Sequence, residues 1–338
     1  MKEEKKMKDK IKIAINWAGA CGGCDVAILD LEEKIFDITS IADIVYWPVA
    51  MDFKRKDVEK YEDDSIDITL FNGMIRTSEH KEDAQLLRKK SKVMIAFGSC
   101  ACFGGIPGMA NFTDREGVFN CAYSETVSSL NPDKIFPEPE VKKDNFSLEL
   151  PSFQNFVNTL GQVVDVDYFL PGCPPTYDII IKAVQIIAGY SKNGDLPPKN
   201  TVIAGEKALC SECKRNITRT SNIVKTIIRP HEKIIDPDLC FLEQGIICMG
   251  PFTRSGCGTT CINANMPCRG CFGPTDAQYD QGTEAISAFG SIVTKGKDDD
   301  VVRGEMLRPV NSIKDPLGTF YRFSLPNALI NKKMNDGK

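Results

Sequence analysis

The first two hundred residues alternate between short apolar runs and polar stretches of helical period. IKIAIN (Ile11 to Asn16) reads as a strand, and DVAILDLEEKIF (Asp25 to Phe36) places apolar residues at helical spacing and predicts a helix. The runs IADIVYWP, IDITLFNG and KVMIAFGS follow, each closing at Gly or Pro, with the polar helix SEHKEDAQLLRKK before the last. VDYFLPG comes much later and leads into a further helix, TYDIIIKAVQIIAGY. Near-continuous apolar strands alternating with helices predict an α/β domain, its parallel sheet covered on both faces. Between the last two strands the pattern lapses over residues 104–152. NPDKIFPEPEVKKD, within that insertion, is too rich in proline and charge for a core element. An insertion of this length predicts either a partner surface or a surface loop.

SKNGDLPPKN (191–200) reads as a linker, and beyond it the periodicity fades. From Cys210 to Cys271 the chain is rich in turns and poor in regular apolar patterning. That predicts no conventional core, and bound metal is the expected organiser. DAQYDQGTEAISAFGSIV predicts one helix, followed by a charged, loose terminus; MKEEKKMKDK at the start reads as a solvated tail. The expected layout is a tail (1–10), an α/β domain (11–190), a linker (191–200) and a loop-rich domain with tail (201–338).

Charge and hydropathy narrow the function classes. With 42 Lys and Arg against 46 Asp and Glu, the net charge is −4, which disfavours nucleic acid as a partner. No apolar run reaches the roughly 18 residues of a membrane span, and no secretory or twin-arginine signal opens the chain. A cytoplasmic location is expected.

Cysteine changes the picture most. There are 14 cysteines and only 2 histidines, so all-thiolate sites, iron–sulfur or Cys₄ zinc, are the expected chemistry. Cys21 and Cys24 follow the first strand, Cys100 closes KVMIAFGSC, and Cys173 closes VDYFLPGC. All four thus fall at the carboxyl edge of the predicted sheet, where ligands collect, in Gly- and Pro-rich turns that permit close backbone approach. They predict one shared four-thiolate site. Cys210, Cys213, Cys240, Cys248, Cys257, Cys261, Cys268 and Cys271 supply two further sets of four, and spacing alone leaves clusters and a zinc ribbon both open. Cys102 and Cys121 read as spare thiols, Cys121 as a possible substitute ligand. His80 and His231 sit in polar stretches and are expected at the surface. There is no Gly-x-Ser-x-Gly and no phosphate-binding Walker loop. No catalytic residue is expected in this chain.

The strings NWAGACGGCD, FGSCACFGGIPGMANF, LPGCPP, CSECKRN and CFLEQGIICMGPFTRSGCGTTCINANMPCRGCFGP resemble the small, electron-transferring subunit of [NiFe]-hydrogenases. They are most similar to the gamma (small) subunit of the cytoplasmic, methyl-viologen-reducing, deazaflavin-non-reducing group of methanogenic archaea. The resemblance implies a flavodoxin-like, doubly wound parallel sheet followed by a loop-rich C-terminal iron–sulfur domain. It implies three [4Fe–4S] clusters: a proximal one on Cys21, Cys24, Cys100 and Cys173, a medial one on Cys257, Cys261, Cys268 and Cys271, and a distal one on Cys210, Cys213, Cys240 and Cys248. Many family members have a histidine where this chain has Cys210, and Cys261 has an unusual spacing. The implied partners are a large subunit holding the nickel–iron centre, a small iron–sulfur electron-transfer subunit and heterodisulfide reductase subunits. The alternatives are the small subunit of a deazaflavin-reducing or sulfur-reducing hydrogenase, or a zinc-bearing structural module.

Overall fold

The computed structural model describes residues 10–220, 224, 226–294 and 313–333. The tail expected at 1–9, like residues 295–312 and 334–338 of the expected loose terminus, lies outside the described residues. The chain begins β1 (Ile11–Trp17), α1 (Gly23–Leu29), α2 (Ile35–Ile41), β2 (Ala42–Tyr46), α3 (Arg55–Glu59), β3 (Ile66–Asn72), β4 (Ile75–Thr77), α4 (Ser78–Lys90), β5 (Ser91–Phe97) and α5 (Ser99–Phe103). Next come α6 (Arg115–Asn120), the strands β6 (Glu140–Lys143), β7 (Phe146–Glu149), β8 (Phe153–Asn158) and β9 (Tyr168–Leu170), α7 (Tyr177–Asn193) and β10 (Thr201–Val202). The remainder is mostly turns, with α8 (Thr260–Asn263) and α9 (Gln281–Thr294).

Six strands form one sheet in the order β10-β9-β5-β3-β1-β2, and every pairing is parallel. Alternate residues serve opposite faces, as the two-residue strand period requires. Ile11, Ile13 and Ile15 of β1, with Val93, Ile95 and Phe97 of β5, pack under α1 and α7. Ala14, Met94 and Ala96 face the other way, against Ala84 and Leu87 of α4 and against α5. This is the doubly wound α/β sheet expected from the apolar runs. The connections on either side of β1 lead to opposite flanks, so β1 marks the switch point where such sheets collect ligands at their carboxyl edge.

Four expectations change. The helix expected over 25–36 is α1 and α2 separated by a short 3₁₀ turn, Glu32–Lys34. Leu31 turns into the core at 2 % exposure, and Glu32 takes φ 50°, which stops the helix. The insertion is more regular than its composition suggests. It holds α6 and an antiparallel β6–β7 hairpin that pairs Val141 with Leu148 and turns through Asp144 at φ 56°. The 191–200 stretch carries the chain from α7 to β10, so the sheet takes its edge strand from beyond it. Finally, the turn-rich half has an apolar core of its own: Phe241, Ile246, Met249, Phe252, Phe289 and Phe320 cluster there. The pattern hid it because the contributing residues come from irregular turns, α9 and the 313–333 segment. That last segment is not loose: Gly105 donates to the Phe323 carbonyl at 3.1 Å, and Asn111 Nδ2 to the Asn331 carbonyl at 2.9 Å.

Candidate metal centres

β1 delivers the first turn. Ala18 N–H donates to Asn72 O, and Gly19 and Met74 exchange hydrogen bonds at 3.0 and 3.1 Å, which anchors the chain just before Cys21. Gly22 then caps α1 at φ 85°, placing Cys24 in the first helical turn. Cys100 rides on α5 immediately after β5, and Cys173 follows β9. Cys24 is buried, Cys100 half-buried, and Cys21 and Cys173 exposed, so the group lies across the sheet edge with one side toward solvent. Burial pushes the Cys24 thiol far up, and Cys100, Cys173 and Asp25 add to this by charge repulsion. Burial likewise raises Cys100 to about 12, with Cys173 and Cys21 contributing. The charges of these thiols therefore act on one another.

Two glycines leave room for these sulfurs. A Cβ at Gly98 would stand 2.3 Å from Cys24 Sγ, and one at Gly105 would stand 2.5 Å from Cys100 Sγ. Both residues also have positive φ, at 85° and 62°. Side chains there would collide with the thiols and strain the backbone at once.

The later cysteines form two more groups. Burial raises Cys210 to about 12, reinforced by Cys248, Cys213 and Cys240. Burial takes Cys248 to about 11, opposed by the backbone N–H groups of Gly250 and Cys268. Cys271 is raised to about 12 by burial first, then by Cys257, Cys173 and Cys261. Cys268 is held well above the ordinary thiol range by burial, then by Cys248, while Thr253 Oγ1 counters at 3.6 Å. Thiols of different groups also act on one another. Cys173 feels Cys261 as well as Cys21, and Cys268 feels Cys248. Backbone contacts link the same segments: Ser99 Oγ donates to Cys271 O at 2.5 Å, and Met249 N–H to Cys268 O at 3.0 Å.

The donor set fits an iron–sulfur core. Thiols crowded into mutual repulsion are unfavourable as free thiolates, and an electropositive metal core reverses that cost. Among the described residues, no set of three or more Cys, His, Asp or Glu side chains is placed to ligate a single ion. Cys102 is buried on α5 beside Cys100, its thiol donating to Ala96 O at 3.3 Å, and Cys121 is exposed at the end of α6. His231 is exposed as expected, whereas His80 is half-buried at the start of α4. There its Nδ1 accepts from Arg76 N–H at 3.4 Å, and burial lowers its pKa.

Pattern reading missed one polar network. Asp25, 2 % exposed, accepts from Trp47 Nε1 at 2.8 Å and from Asn72 Nδ2 at 3.0 Å, directly beside Cys24. An acid following Cys-x-x-Cys on an otherwise apolar helix face was the available signal. Glu212, which accepts from Gly256 N–H at 3.1 Å and raises the Cys257 thiol, gave none.

A family profile described as NADH ubiquinone oxidoreductase, 20 Kd subunit, matches residues 21–187. The fold is similar to that of a chain of the recombinant [NiFeSe] hydrogenase from Desulfovibrio vulgaris Hildenborough. The TM-score is 0.52 at 16% identity, covering 79% of this chain and 95% of that one. That likeness shows the fold, a doubly wound parallel sheet followed by a loop-rich half. Over its whole length the chain is similar to two archaeal proteins. It is 41% identical to the iron–sulfur subunit of the F420-non-reducing hydrogenase of Archaeoglobus profundus, covering 96% of this chain and 99% of that one. It is 36% identical to the corresponding F420-non-reducing hydrogenase subunit of Methanothermobacter thermautotrophicus, covering 98% and 100%. The chain belongs to this family of F420-non-reducing hydrogenase small subunits.

Proposed function

We propose that this chain carries electrons between a hydrogenase large subunit and an acceptor subunit over three [4Fe–4S] clusters. Cys21, Cys24, Cys100 and Cys173 hold the proximal cluster. Cys257, Cys261, Cys268 and Cys271 hold the medial one, and Cys210, Cys213, Cys240 and Cys248 the distal one. What supports this reading is the mutual electrostatic influence of the thiols, within each group and from one group to the next, Cys261 acting on Cys173 and Cys248 on Cys268. When bound, the clusters supply one-electron relay at potentials set by burial and hydrogen bonding. The chain's own residues hold the sulfurs, keep the groups adjacent and exclude water. The exposed Cys21 and Cys173 belong to the face met by the large subunit, which bears the nickel–iron centre. No general acid or base is needed in this role.

On the acceptor side, we propose a small iron–sulfur electron-transfer subunit and heterodisulfide reductase subunits; a deazaflavin acceptor is disfavoured because the family relatives are named F420-non-reducing. Among the described residues no helix is long and apolar enough to cross a membrane, and a cytoplasmic complex is the location that fits. Anaerobic purification with iron, sulfide and zinc analysis tests the reading. About twelve iron atoms per chain and a broad visible absorption band are expected. Zinc without that band, or about one metal ion per four cysteines, overturns it.

A further inference from the structure

The insertion lines a half-open pocket of about 650 Å³, with Glu116 and Glu138 also on its wall, that the electron relay does not use. Phe119, Tyr123, Phe136 and Phe153 wall it, with Thr77 and Arg115 on the lining. The rings form a continuous series, Phe153 to Phe119 at 5.2 Å between centroids, Phe119 to Tyr123 at 6.0 Å, and Tyr123 to Phe136 at 6.2 Å. Arg76, 2 % exposed, steadies this wall with its guanidinium 4.6 Å from the Phe153 ring. The size is that of a pocket that takes a large side chain or a short peptide segment.

The adjoining hairpin repeats the apolar character. Its register puts Val141, Lys143, Phe146 and Leu148 on one face and Glu140, Lys142, Ser147 and Glu149 on the other. Phe146 is 71 % exposed, and Val127, Leu130 and Ile135 nearby in the chain are more than two-thirds exposed. A two-stranded ribbon with an uncovered apolar face is marginal on its own. Exposed apolar surface of this kind marks an interaction site.

The root of the insertion says which partner. Ser78 N–H donates to Ser152 O, Ser152 N–H donates to Ser78 Oγ, and Thr77 pairs with Phe153. Thr77 is three residues, about 10 Å of strand, from Met74. Met74 in turn pairs with Gly19, two residues before Cys21. The socket therefore continues the rim of the proximal face.

We propose that this aromatic socket and the apolar hairpin face form a second docking site for the large subunit. Its occupant is a peptide segment presenting an aromatic or long aliphatic side chain. The proposal rests on the relay reading, in which the large subunit covers the proximal face. The test measures anaerobic affinity of the cluster-loaded chain for the large subunit, with iron content and circular dichroism as controls. Tyr123→Ala and Phe146→Asp should each weaken large-subunit binding at least tenfold with iron content unchanged. Phe146→Asp alters a side chain already in solvent, so it keeps the test valid if Tyr123→Ala perturbs the insertion. Unchanged affinity in Phe146→Asp overturns the proposal alone. So does a loss confined to acceptor-subunit binding, or to self-association of this chain. A wild-type chain that fails to bind the large subunit overturns the relay reading and the proposal together.

Discussion

The two thiol-bearing halves reach similar ends by different means. In the amino-terminal half, four cysteines far apart in sequence meet because β1, β5 and β9 end at one sheet edge. The sheet is held by two large apolar layers, to which the thiols add only Cys24 on one face and Cys102 on the other as buried members. In the carboxyl-terminal half, eight cysteines lie in turns, and Cys248 and Cys268 are themselves members of the apolar cluster there. The difference teaches where bound metal matters for folding. On the proposed reading it would occupy a prepared edge in one half and be part of the interior in the other.

The largest effect expected from that contrast follows iron removal. Chelation under anaerobic conditions should open residues 201–294 while β1, β3 and β5 remain protected, because structural metal supplies several kcal/mol where the core is thin. Hydrogen exchange followed by mass spectrometry reads both regions at once. Equal loss of protection in the sheet would erase the distinction.

A smaller effect separates two glycines. Gly98→Ala should cost about 1–3 kcal/mol and release the proximal irons, since its Cβ would meet Cys24 Sγ at 2.3 Å in a backbone reserved for glycine. Gly250→Ala places its Cβ 3.4 Å from Cys210 Sγ and 3.5 Å from Cys248 Sγ, ordinary contact distances, and should retain all its iron. Denaturant unfolding together with iron analysis compares the two.

The smallest effect is electrostatic and belongs to the sheet. Burial pushes the Asp167 carboxyl up, but hydrogen bonds from Lys199, Met94 N–H and Arg88 outweigh it and lower its pKa. A lowered folded-state pKa gives stability present above the unfolded value and lost as pH falls. Asp167→Asn should therefore cost roughly 1–2 kcal/mol near pH 7 and flatten the acid limb below about pH 4. Thermal melts of the metal-free chain across pH measure this, and an unchanged acid limb would count against it.

Much of this was legible in order along the chain. Apolar runs with a two-residue or helical period marked β1, β3, β5 and α4 because burial on a fixed face leaves a periodic trace. The carboxyl-edge rule then brought Cys21, Cys24, Cys100 and Cys173 together from the order of the strands alone. The break at Leu31 left no comparable trace, nor did the hairpin in a proline-rich insertion. In both, a single left-handed residue, Glu32 or Asp144, redirected the chain.

The sequence by itself determined the parallel sheet and the thiol inventory. The sheet depends on local periodicity and on where strands end. Only the tertiary structure decided that the turn-rich half has a core, that residues 313–333 pack back on the first half, and that Asp25 is enclosed by Trp47 and Asn72. It also decided that the insertion lines a half-open pocket walled by Phe119, Tyr123, Phe136 and Phe153. Such contacts join residues with no common period, so nothing in the linear pattern records them.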